Sequence, residues 1–124
     1  MSIPIIRQGD CLVAIIEPSI SDRSWLELHR ELGARVRTLR ARSVVIDVSG
    51  LDVLDSFGTR MLRSIGQIAR LGGADTVIAG IAPDVAYAMA QLGLGLDPLH
   101  TALDLEDGLE LLRGQGAADR GDPG

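Results

Sequence analysis

"SVVIDVSGLDVLDSFGTRML", residues 43–62, changes character partway along. Ser43–Val48 is short, continuous and β-branched, which predicts a strand covered on both faces. From Phe57 onward, Phe57, Met61, Leu62, Ile65, Ile68 and Ala69 fall on one face of a helix that Gly72 and Gly73 end. Between the two lies an acidic loop that opens at Ser49 and ends in a second hydroxyl, Ser56, beside Asp55 and close to Asp52. A buried strand feeding an amphipathic helix is the repeating step of an α/β sheet.

The same step recurs on both sides. Upstream, "IPII" and "CLVAII" read as two hairpin strands, with Gly9 and Asp10 as turn formers. Ser21 or Asp22 can cap a helix whose stripe is Trp25, Leu28, Leu32, Val36 and Leu39. Downstream, "TVIAGI" is another buried strand, and Pro83 suits the first turn of a helix that Gly93 stops. "LDPLH" is a short strand or a loop. Thr101 or Asp104 caps a last helix carrying Leu105, Leu109 and Leu112. The order β-β-α-β-α-β-α-(β)-α predicts an α/β fold: one domain over residues 1–113, a mixed, mostly parallel β-sheet with about four helices packed on it. Residues 114–124, rich in Gly, Asp and Ala, read as a disordered tail.

Composition narrows the possible functions. The chain has 124 residues, room for one core, and 46% of them are apolar. Aromatics are 2%, so Leu, Ile, Val and Ala must build that core. Net charge is −5, which gives no electrostatic reason to bind nucleic acid. No apolar run approaches the ~18 residues of a membrane span, and the N-terminus lacks the order of a signal peptide, so a cytoplasmic protein is expected. The single cysteine, Cys11, sits in an apolar run and reads as a small buried hydrophobe. "RVRTLRAR", residues 35–42, is either a solvated helix end that complements the helix dipole or a basic docking patch for an acidic partner surface.

Ser56 admits three readings: nucleophile, helix cap, or substrate for a partner. A nucleophile needs a base and a group that orients it. The only histidines, His29 and His100, have no neighbouring motif, and D-S-F-G is not G-x-S-x-G. Asp47, Asp52 and Asp55 could surround a hard cation but lack the spacing of a calcium loop. "GLGLD" neither follows a strand nor opens a helix, so it makes a poor dinucleotide site. No enzyme activity, cofactor or metal is expected. Ser56 as a cap at the start of the helix remains, and a hydroxyl there is also accessible to modification.

"VVIDVSGLDVLDSFGTRML" resembles the signature loop of the STAS domain, the family of anti-anti-sigma factors and sulfate transporter tails. The resemblance covers about residues 3–113. "IPIIRQGDCLVAII" and "GIAPDVAYAMAQLGLGLDPLHTALDLEDGLELL" are similar to stressosome STAS proteins of the short RsbS type, in which the domain stands alone. The resemblance implies that Asp47 is the strand-end aspartate, that Ser56 is phosphorylated, and that Asp52, Asp55, Phe57 and Gly58 form the partner-docking surface. Phe57 either points partly outward as an apolar anchor or opens the core stripe.

As partners it implies an RsbT-type serine kinase, held until Ser56 is phosphorylated, RsbR-type STAS paralogues and an RsbX-type phosphatase. It further implies homo- and hetero-oligomers and a role in stress-response signalling. Alternatives are a free anti-anti-sigma factor binding an anti-sigma kinase, and a STAS accessory subunit of a membrane lipid transporter. One departure is Ala79, where related proteins often carry a second modified threonine.

Overall fold

A computed structural model describes residues 3–51, 53–91, 93, 99–102 and 104–119. The hairpin forms from β1 (Ile5–Gln8) and β2 (Cys11–Ile15), antiparallel, with Gly9 at φ 61° supplying the left-handed residue of the turn. Then come α1 (Asp22–Leu39), β3 (Ser43–Asp47), α2 (Ser56–Leu71), β4 (Asp75–Ala79), α3 (Pro83–Gln91), β5 (His100–Ala102) and α4 (Leu105–Asp119). The sheet runs in the order β1-β2-β3-β4-β5, and β2 to β5 are all parallel. His100 of "LDPLH" opens β5, and Leu96–Pro98 lie outside the described residues.

The register explains the continuous apolar runs of β3 and β4. Val44, Val45, Ile46, Val77, Ile78 and Ala79 are all 0% exposed because each strand is covered on both faces. On one face, Leu12, Ala14, Val44, Ile46 and Ile78 pack against the α1 stripe (Trp25, Leu28, Leu32, Val36) and against Leu62, Ile65 and Ala69 of α2. On the other, Cys11, Val13, Val45, Val77 and Ala79 meet Leu105, Leu109 and Leu112 of α4. Parallel neighbours taken in sequence order, joined by right-handed crossovers, put their connecting helices on one side of the sheet. Among the described residues, only α4, which follows the last strand, covers the other.

Close helix approach depends on small residues. Gly33 of α1 receives the Ile68 side chain, and Gly66 of α2 receives Leu99. Ile68 itself is 37% exposed, so it flanks the buried α2 stripe rather than joining it. α4 continues to Asp119, through the first part of the expected tail. Gln115, Ala117 and Ala118 are good helix formers, and Pro123 is the next strong breaker, so an existing helix can propagate through them. Residues 120–124 lie outside the described residues.

Candidate functional site

The C-terminal ends of the parallel strands gather the loops that enter α1, α2 and α3. The β3–α2 loop begins in a tight turn. Asp47 Oδ1 accepts from the Ser49 amide at 2.9 Å and from the Ser49 hydroxyl at 2.7 Å. The Val48 amide donates to the Ala79 carbonyl at 2.9 Å, which ties this loop to the end of β4. Gly80, at φ 92°, lies directly under Ser49: a Cβ there would sit 2.6–2.8 Å from Ser49 Cβ, N and Cα. Asp47 therefore orders the loop from its base.

At the far end of the loop, Asp55 is the N-cap of α2. It is extended (φ −85°, ψ 179°), and its Oδ1 accepts from the Gly58 amide at 2.7 Å. Its carbonyl accepts from the Thr59 amide and hydroxyl, both at 2.9 Å. This corrects the sequence reading of Ser56 as the cap. An ionised carboxylate is the stronger acceptor and the better partner for the positive end of the helix dipole. Ser56 becomes the first helical residue, exposed, with its hydroxyl released from capping.

The residues around it divide clearly. Gly58 is buried: a Cβ would crowd Leu54 Cδ1 (3.1 Å), Asp55 Oδ1 (3.2 Å) and Trp25 Nε1 (3.2 Å). Phe57 is half-buried and packs against the main core, which is the second of its two sequence readings. Asp52 lies outside the described residues. Val53, which sequence reasoning did not single out, is an apolar side chain 75% exposed beside Ser56.

Neither histidine reaches Ser56. His29 Nε2 is 2.8 Å from Ser64 Oγ, and Ser64 lies two helical turns, about 12 Å of rise, beyond Ser56. His100 lies on β5 opposite Val77. Among the described residues, no group of three or more His, Cys, Asp or Glu converges to hold a metal. Ala79, at the family's second modification position, is fully buried against α4. Among the described residues, no helix is long and apolar enough to cross a membrane.

An exposed serine at the start of a helix, held by a capped acidic loop on a mixed five-stranded sheet, matches a known family. The STAS domain model matches residues 3–108. The chain belongs to the STAS domain family. Among solved STAS structures, a serine-to-glutamate variant of RsbS from Moorella thermoacetica superposes with a TM-score of 0.80 at 36% identity, covering 92% of this chain and 97% of that one. A chain from the molecular architecture of the stressosome, a signal integration and transduction hub, gives 0.78 at 37% identity, covering 91% and 98%.

The RsbT co-antagonist protein RsbRA of Bacillus subtilis is 31% identical over 71 residues, 57% of this chain. The match spans only 26% of that longer relative. The phosphorylated form of SpoIIAA shares the STAS fold, with a TM-score of 0.67 at 12% identity over 90% of this chain and 99% of that one. The chain is thus an RsbS-like STAS protein with the fold of the anti-sigma-factor antagonists.

Proposed function

We propose that this STAS protein is a stressosome antagonist that sequesters an RsbT-type serine kinase through the Ser56 end of the sheet and releases it when Ser56 is phosphorylated. The observation that carries this reading is the division of labour at α2. Asp55 caps the helix, so Ser56 is exposed and its hydroxyl is free to react. The kinase brings ATP. Ser56 Oγ attacks the γ-phosphorus, ADP leaves, and the hydroxyl proton passes to a base on the kinase.

Unmodified, the loop offers Val53 as an exposed apolar contact, half-buried Phe57 and an acidic rim including Asp55. Buried Gly58 acts through the loop's shape, by letting Trp25 and the Asp55 carboxylate approach. A phosphate at Ser56 adds about 1.5 to 2 negative charges beside Asp55. The Gly58 and Thr59 amides already bond to Asp55, so they are not open to neutralise it. Like-charge repulsion then weakens any partner that docks with acidic groups.

The test is a pull-down with an RsbT-type kinase. Ser56→Ala keeps the kinase and Ser56→Asp loses it; equal capture by both sinks the reading. Identity supports the stressosome reading over a free anti-sigma-factor antagonist: 36% to the Moorella RsbS variant against 12% to SpoIIAA.

A further inference from the structure

The arginines at the end of α1 play no part in the Ser56 loop. Strands β2 to β5 run one way and their connecting helices run back, so helix C-termini and strand N-termini share the end of the molecule opposite Ser56. Arg37, Arg40, Arg42 and Arg70 are all exposed there. The ends of α1 and α2 touch: a Cβ on Gly72 would sit 2.7 Å from Val36 Cγ1 and 3.8 Å from Arg37 Cγ. The Arg42 carbonyl accepts from the Asp75 amide at 3.1 Å, which brings that residue to the same surface.

None of these four guanidinium groups forms an ion pair with a described residue, unlike Arg23 with Glu27 and Arg35 with Glu31. Asp10 and Asp75 lie at this end too and leave it net positive. Beside the arginines, Leu71 is 89% exposed and Leu39 37%. Cations at a helix C-terminus complement its dipole, but an exposed leucine does not follow from that.

The opposite end has the complementary character. Glu17, Asp22, Asp55 and Asp84 are exposed around Ser56; Arg23 and Arg60 are exposed there too and leave this end net negative, and Val53 stands out among them, 75% exposed. We propose that the arginine–leucine end of one copy docks on the Ser56 end of a second copy, head to tail, and that phosphorylation of Ser56 tightens this contact.

Opposite charges and exposed apolar residues are both present on one chain, and the contact is heterologous, so it propagates. A phosphate brings three acceptor oxygens suited to the guanidinium fork. The second copy occupies the face proposed for the kinase, so modification would replace one with the other. That consequence rests on the partner-switching reading; the contact itself needs only this chain.

Sedimentation velocity on the full chain tests it, with serine or genetically encoded phosphoserine at position 56. At ~0.05 M salt the sedimentation coefficient should rise with protein concentration, and ~0.5 M salt should abolish the rise. Phosphoserine should tighten association by about tenfold. Arg37→Glu/Arg70→Glu should be monomeric, as should Asp22→Arg/Asp84→Arg, both with native circular dichroism. Mixed, the two variants should associate again, because the native ends still fit one another and the two charge-reversed ends are complementary too.

A chain that stays monomeric with either residue at 56 overturns the proposal. So does association that the arginine variant leaves unchanged. Binding of the wild-type chain to anionic vesicles without self-association would assign the patch to a membrane instead. Because phosphoserine is encoded directly, none of these outcomes depends on kinase capture, which the Ser56→Ala and Ser56→Asp pull-down reads separately.

Discussion

Asp55 and Ser56 are adjacent, both are good N-caps, and only one can hold the extended conformation that a cap requires. The extended backbone belongs to Asp55, so the carboxylate takes the Gly58 amide and the hydroxyl is left outside. Asp55→Ala should cost about 1 kcal/mol in urea unfolding, and Asp55→Ser much less, because serine can take over the cap. The sequence reading put the cap one residue late, at Ser56, since the choice between two adjacent cap formers depends on a ψ angle that no composition encodes.

Cys11 behaves as its apolar context predicts. It is 8% exposed, and burial pushes its thiol pKa up; the Asp10 charge adds to this, while a hydrogen bond with Ser43 opposes it. A raised pKa means less thiolate at neutral pH, so native protein should resist iodoacetamide at pH 8 while urea-unfolded protein reacts readily. Equal alkylation of both would show Cys11 to be accessible.

Among the elements, the loops after β3 and β4 act as one unit. Asp47 folds the first loop back on Ser49, and Gly80 leaves the space that Ser49 fills. Gly80→Ala meets both a steric clash with backbone and a positive φ, so it should destabilise the protein by about 2 kcal/mol or more. Thermal unfolding checks this, and a Tm unchanged from wild type would show the latch to be dispensable.

The long elements were legible because their periodicity is strong: Trp25, Leu28, Leu32 and Val36 of the α1 stripe and the runs of β3 and β4 appear where the pattern puts them, whereas Leu39, at the end of the helix, is 37% exposed rather than in the core. The latch was not, because it joins residues thirty positions apart through a glycine whose role is to be absent. β5 is three residues long with Thr101 exposed, too short for alternation to register. α4 runs past residue 113 to Asp119, and periodicity does not mark that end because a helix already started can run on without apolar residues.

At the scale of the molecule, α1, α2 and α3 on one face and α4 on the other bring four helix N-termini to one end of the sheet. That geometry makes a serine at the start of α2 part of a surface rather than of a cleft. The open groove between α3 and α4, lined by Ile81, Pro83, Thr101, Asp107 and Leu111, includes no residue of the Ser56 loop.

An RsbS-like chain in a stressosome should join a larger particle. Mixing it with an RsbR-type paralogue should shift both to a far earlier position on size-exclusion chromatography, whereas a free antagonist would leave the two separate. Resemblance carried the sequence from fold to partners, because the loop motif names a family. The residues alone stopped at an accessible hydroxyl among carboxylates.

The account depends most on where a partner kinase acts. The protein should be incubated with an RsbT-type kinase and ATP, and the phosphate located by mass spectrometry of its peptides. A single phosphate on Ser56, absent from Ser56→Ala, is the predicted result. Phosphate on Ser49, Thr59 or any other residue, with Ser56 unmodified, would contradict it.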